Sequence, residues 1–462
     1  MGPFSAVSFR DPDGCLYVNG DSVLRRMNPQ PAQAVLEFLS TAAAADLVRT
    51  GRLISSRRLS ETETPHPPGN DEWLQHERVW FPSFPYEWPA EMLRGAGLLT
   101  LEIAEASLPA GFELKDATPF NILYRGSLPV FIDLLSVQRF DGRSSTWHAY
   151  SQFVQTFLLP LLAERITGLP MRSVFSANRD GLTPADVRNL PGLWRSRAGW
   201  ALVLLPALLE RRDANPTPAA RGEQEMEVAQ FVRRRLYRGL RRHLHSLSPR
   251  EPLPDDVSLY AKDYGQRVPQ DAELKMRMIE SWLDRVKPRR VLDIGANTGQ
   301  YSFVAARLGA SVVAIDKSPG AIGLLWRRAF AECADLLPLV VDIGRPTAAV
   351  GWCNCEHESF LDRASGQFDA VLLLALIHHL MINERAPLES LFDLLATLTR
   401  DTLMAEFVSR EDENFIRICR GRDRLFQDWT QERFENAAIR RFRIEAREPL
   451  PGGTRCLYLL RK

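Results

Sequence analysis

Residues 290–301, RVLDIGANTGQY, constrain the fold of this chain more than any other stretch. Arg290 to Ile294 is short, rich in branched apolar residues and bounded by Pro288 and Gly295, the pattern of a buried parallel strand whose backbone turns at once. Gly295 and Gly299 give the backbone room to approach a ligand, and Thr298 to Leu308 continues as a helix whose N-terminus points at that ligand. A dinucleotide-binding turn has the spacing G-x-G-x-x-G. Here position 297 is Asn and the spacing is G-x-x-x-G, which argues against a nicotinamide dinucleotide.

The remainder of the C-terminal half supplies matching elements. Ser311 to Asp316 reads as a second strand whose terminal acid follows Asp293 at about the spacing at which βαβ folds meet a ribose. Leu337 to Asp342, Phe368 to Leu374 and Thr402 to Val408 read as further strands, Ile439 to Ile444 and Cys456 to Leu460 as a closing antiparallel hairpin, and Ala272 to Val286 as a helix leading into the first strand. Together these segments resemble the class I S-adenosylmethionine-dependent methyltransferases, with 290–301 as motif I, and the whole chain is similar to the NoeA-like group of bacterial methyltransferases.

That resemblance implies an α/β fold, a Rossmann-like seven-stranded sheet with helices on both faces over 255–462, and S-adenosyl-L-methionine as cofactor. Asp293 would face the ammonium of the methionine moiety, Gly295, Asn297 and Gly299 would form the cofactor loop, and Asp316 would hold the ribose hydroxyls. Asp342 would bond the adenine amine, with Ile343 against the purine; the plainer reading of Asp342 is a helix N-cap. Tyr260 or Tyr264 would lie over the cofactor. His378 and His379 follow the fourth strand, where the family places acceptor-orienting groups, and an imidazole suits a general base near neutrality. Either histidine could instead pack or cap. Glu406 is a possible acceptor-site carboxylate.

The 462 residues allow two or three domains, and 58 basic against 57 acidic side chains give a net charge of +1, which offers no argument for nucleic acid or an anionic membrane as partner. The expected partner is a small-molecule acceptor; the oligomeric state is left open. Six scattered cysteines form no disulfide framework, Cys353, Cys355 and His357 lack zinc-knuckle spacing so that no metal is expected, and no secretory leader or membrane-length apolar run is seen. A cytoplasmic enzyme is the expectation.

Residues 1–146 carry a second pattern. Turn signals at 11–14 and 19–20 separate short strands, 31–50 reads as helix, and an aromatic and proline-rich linker at 80–89 enters a helix from Ala90 to Leu108. Asp116, Asn121 and Asp133 then stand as D-x-x-x-x-N followed by a strand ending in Asp, which resembles the aminoglycoside and choline phosphotransferases, kinase-like enzymes of α+β fold. By that resemblance Asp116 would be a base, and Asn121 and Asp133 would hold Mg²⁺. However, residues 1–114 contain no lysine and no glycine-rich phosphate loop; Arg25 or Arg26 could stand in for the lysine, although the two side chains are not equivalent there. The pattern reads as a degenerate scaffold.

Residues 147–254 read as a helical connector: apolar helices at 147–163 and 198–209, a break at 213–222, an arginine-rich amphipathic helix at 228–247, and a Pro-rich linker at 248–254. The leading expectation is methyl transfer to a small molecule. Its rivals are a bifunctional protein with a working Mg-ATP site, and a protein that binds S-adenosylmethionine for another purpose.

Overall fold

The computed structural model describes residues 5–8, 11–64, 70–142, 147–190, 223–247, 249 and 269–462. The expected helix at 198–209, the break at 213–222, all but Pro249 of the 248–254 linker, and Tyr260 and Tyr264 lie outside the described residues. The chain divides into two compact units, Met1–Arg125 with Pro129–Arg250, and Gly126–Leu128 with Glu251–Lys462. Among the described residues no helix is long and apolar enough to cross a membrane.

In the first unit, β1 (Ser5–Ser8), β2 (Gly14–Asn19), β3 (Ser22–Met27), β4 (Ser56–Arg58) and β5 (Glu72–His76) form an antiparallel sheet in the order β1-β2-β3-β5-β4. The single helix expected at 31–50 is two, Pro29–Leu39 and Ala42–Arg49, because the Thr41 hydroxyl accepts the Ala44 N–H at 3.1 Å and starts a new helix. The helix Ala90–Ser107 follows the aromatic linker, with Trp88 and Tyr86 almost wholly buried. Two short pairs come next: β6 (Phe112–Leu114) with the later β9 (Val137–Arg139), and β7 (Ile122–Arg125) with β8 (Leu128–Phe131).

The helix expected at 147–163 contains a widened π turn at Val154–Leu158, just where Pro160 can neither donate to nor pack under an ordinary turn. The arginine-rich helix runs over Glu223–Ser246, and its polar face is not simply solvated. Arg233 is buried and bonded to Glu113 at 2.9 Å, and Arg241 meets Glu105 at 2.6 Å.

The second unit is built on β10 (Arg290–Ile294), β11 (Ser311–Asp316), β12 (Leu336–Val340), β13 (Phe368–Leu373), β14 (Thr399–Val408), β15 (Arg443–Pro449) and β16 (Arg455–Arg461), in the order β12-β11-β10-β13-β14-β16-β15. The first five are parallel, and β16 is antiparallel to both β14 and β15. The expected strand at 439–444 begins only at Arg443, since Gln431–Ala438 is helix and the chain turns before Phe442 docks into the core. Val291, Leu292 and Ile294 are each at most 1% exposed, so β10 is covered on both faces, each such side chain being worth about 1.5–3 kcal/mol of burial. From β10 the chain builds outward through β11 to β12, then returns to β13 on the other side. The crevice beyond the carboxyl ends of β10 and β13 is the place where open α/β sheets bind ligands.

Candidate functional site

Three left-handed residues shape the turn after β10: Gly295 (φ 79°), Asn297 (φ 50°) and Gly299 (φ 81°). The N–H groups of Gly295 and Ala296 both donate to the Ile315 carbonyl, at 2.8 and 3.0 Å, which fastens the turn to β11. A Cβ at Gly299 would collide with Leu325 Cδ1 as well as stand in a strained backbone region. Gly299→Ala is therefore expected to lower stability by about 1–2 kcal/mol in urea unfolding and to weaken cofactor binding.

Asp293 closes the floor of the turn. It is buried and accepts the Ser302 hydroxyl at 2.6 Å. Burial pushes its pKa up to about 6, with Asp316 adding to the rise and Ser302 and Lys275 opposing it. A carboxylate whose ionisation is opposed by burial is completed by a cationic ligand, so the residue fits the ammonium of S-adenosylmethionine.

Asp316, at the end of β11, is already engaged: its Oδ2 accepts the Asn297 N–H at 3.0 Å and its Oδ1 the Ser318 N–H at 2.9 Å. Burial raises its pKa, and these two backbone donors oppose the rise. This loop-holding role has no signal in the sequence. Asp342 stands two residues past β12, not on it, and its Oδ1 accepts the Gly344 N–H at 3.0 Å; Ile343 beside it is half-buried. Asp293, Asp316 and Asp342 thus lie at the carboxyl ends of three adjacent strands.

Beyond β13, Ala375 is left-handed (φ 53°) and the chain enters the helix Ile377–Asn383. His378 is 1% exposed, and among the described residues neither of its ring nitrogens has a hydrogen-bond partner. Burial holds its pKa well below the usual imidazole range, with His379, Arg455 and Lys275 pushing the same way against Asp412. His379 is half-buried, its ring 4.5 Å from that of His378, and burial with Lys317, Arg417 and Arg455 takes its pKa down to about 4. Both imidazoles are neutral at physiological pH.

Glu406 is not an open acceptor-site carboxylate. It is fully buried on β14, where Lys275 bonds its Oε2 and Arg455 its Oε1 at 3.2 Å. Arg455 also grips Asp412 with Nε at 2.8 Å and Nη2 at 3.2 Å. Burial draws the Glu406 pKa up, but the two cations outweigh it and the net shift is downward. Lys275 was the detectable member: on the helix Pro269–Val286 it lies on the buried stripe of Ile279, Trp282 and Leu283, an unusual place for a lysine without a buried acid.

In the first unit, Asp133 Oδ1 pairs with Arg25 at 3.0 Å and its Oδ2 accepts the Ser136 hydroxyl at 2.5 Å. The Asn121 amide donates to Ser136 Oγ at 2.9 Å. Asp116 is half-buried; burial raises its pKa, Lys115 opposes, and Asp133, Asp11 and Asp13 add to the rise. Asp133 already has a cation, so this set does not fit Mg²⁺ as it stands.

Residues 232–447 match the family described as a methyltransferase domain. The nodulation protein NoeA of Rhizobium meliloti (strain 1021) is 31% identical over 465 residues, covering 98% of this chain and 95% of that protein. Similar solved structures include the magnesium protoporphyrin IX methyltransferase of Synechocystis PCC 6803 with S-adenosylhomocysteine bound, at 16% identity and TM-score 0.31 over 42% of this chain and 83% of that one. The N-methyltransferase NodS of Bradyrhizobium japonicum WM9 is another, at 14% identity and TM-score 0.28 over 40% of this chain and 95% of that one. With its mixed seven-stranded sheet and a match to the methyltransferase domain, the second unit is an S-adenosylmethionine-dependent methyltransferase, and the chain as a whole belongs to the family of NoeA.

Proposed function

We propose that the protein methylates a hydroxyl or amine of a small-molecule acceptor, and that His378 or His379 receives the proton the acceptor loses. The single observation that carries the base assignment is His378: a buried, neutral imidazole at the carboxyl end of β13 whose ring nitrogens are both uncommitted. A buried polar side chain is costly to leave unbonded, so such a residue is best explained by a ligand that completes it.

The bound cofactor supplies an electrophilic methyl group on a sulfonium. Asp293 would hold its ammonium, Asp316 its ribose hydroxyls and Asp342 its adenine amine, with Ile343 against the ring and the Gly295, Asn297 and Gly299 backbone around it. The imidazole accepts the acceptor's O–H or N–H proton as the new bond to carbon forms, and positioning supplies the rest of the acceleration. In the same reading, 255–462 is the catalytic domain of a cytoplasmic enzyme, 147–254 a helical connector, and 1–146 a kinase-like scaffold; the antiparallel order β1-β2-β3-β5-β4 and the grouping of Asp116, Asn121 and Asp133 support the last.

The test is release of S-adenosylhomocysteine from fractions of a metabolite extract, with mass spectrometry for a product heavier by one CH₂ unit. His378→Asn is expected to lower kcat by roughly 10²–10⁴-fold while leaving cofactor affinity unchanged. Unchanged kcat in both His378→Asn and His379→Asn rejects the base; cofactor binding without turnover on any fraction favours a sensor.

A further inference from the structure

Six residues of the first unit are linked by hydrogen bonds and one ion pair from the sheet into the loops after β6 and β8. Ser56 Oγ lies 2.7 Å from His76 Nδ1, Arg25 Nε donates to His76 Nε2 at 3.3 Å, and Arg25 Nη1 reaches Asp133 Oδ1 at 3.0 Å. Ser136 Oγ then donates to Asp133 Oδ2 at 2.5 Å, and Asn121 Nδ2 to Ser136 Oγ at 2.9 Å. Because His76 Nε2 accepts from a guanidinium, its proton sits on Nδ1 and the ring is neutral; burial and Arg25 push its pKa down to about 3. Among the described residues Asp133 is therefore the one anion bonded to Arg25.

We propose that Arg25 is a built-in cation that takes the place of a divalent metal on Asp133, so that the first unit holds a closed guanidinium–carboxylate site and not a phosphoryl-transfer centre. The inference deepens the scaffold reading of residues 1–146 and is independent of methyl transfer. Both Asp133 oxygens are engaged, one by the guanidinium and one by a hydroxyl, and the Asn121 amide is turned to that hydroxyl. A metal that demands about six oxygens at roughly 2.1 Å would have to displace Arg25. The displaced guanidinium, 10% exposed, would then lie buried beside a dication with only a neutral histidine as partner, which is costly. A second fixed cation, Lys115, bonds Asp13 and also offsets the charge of Asp116.

Mn²⁺ titration of the full chain, read by the free-ion electron paramagnetic resonance signal and by melting temperature, tests this. Wild type and Asp133→Asn are expected to give the same Mn²⁺ isotherm, with or without ATP. Arg25→Met exposes the carboxylate: it should melt lower than wild type, bind one Mn²⁺ on the order of tenfold more tightly, and regain melting temperature with it. That gain should vanish in Arg25→Met/Asp133→Asn. Wild-type binding that Asp133→Asn abolishes overturns the proposal, as does a folded Arg25→Met with no gained Mn²⁺. Should Arg25→Met not fold, the comparison of wild type with Asp133→Asn decides alone.

Discussion

Asp293→Ala is expected to cost about 3 kcal/mol of S-adenosylmethionine binding, on the order of 100-fold, in a calorimetric titration, because it removes the buried carboxylate proposed to hold the cofactor's ammonium. The sign of the pH dependence is a sharper check. In the cofactor-free protein the carboxyl titrates near pH 6, above its unfolded value, because burial resists its ionisation. Its contribution to stability is thus fully present at low pH and is lost as pH rises through about 6, a change of up to about 3 kcal/mol. Cofactor affinity runs the other way: an ammonium binds the carboxylate, so affinity weakens by about tenfold per pH unit below that point. The stabilisation by cofactor, measured as a melting-temperature difference, should therefore widen between about pH 5 and 7. Asp293→Asn should remove this trend; a trend that survives in that variant refutes the role given to the acid. Turnover at saturating cofactor should show no loss near pH 6.5, since burial takes the His379 pKa down to about 4 and holds that of His378 well below the usual imidazole range.

Glu406→Gln should be the most destabilising of the single substitutions considered, by about 3–5 kcal/mol, because it withdraws the carboxylate shared by two buried cations. At roughly 2–4 °C per kcal/mol for a unit of this size, the melting temperature should fall by about 10 °C. The double variant Lys275→Met/Glu406→Gln separates pairing from packing: removing both charges should restore most of the loss. With Lys275→Met measured as well, a double variant whose loss equals the sum of the two single losses would mean that the pair does not interact energetically.

Much of the second unit was legible because its signals are local. Val312 to Ile315 is an unbroken apolar run that ends in an acid, and Val291 to Ile294 is apolar apart from Asp293 and ends at a glycine, as doubly covered strands do. Asp293, Asp316 and Asp342 follow from the family resemblance, and all three lie at or just beyond the carboxyl ends of adjacent strands. What escaped was non-local. Lys275 and Glu406 are 131 positions apart, and nothing within a turn of either reveals its partner. The same is true of Arg25 and Asp133, where the aspartate was visible as half of a motif but the arginine that occupies it was one of two candidates. Local competition explains one smaller miss, since Thr41 wins over helix continuation by capping, whereas β12 simply ends at Val340, its last residue paired with β11.

The helix Pro269–Val286 does more than lead the chain into β10. By delivering Lys275 to Glu406 it makes the sheet's fifth parallel strand depend on a residue that precedes the first one in sequence. The minimal autonomous form of the methyltransferase is accordingly set by charge balance and not by where the strands begin. A fragment opening at Pro288 would carry every strand of the sheet and still be an incomplete domain, one buried lysine short of neutral.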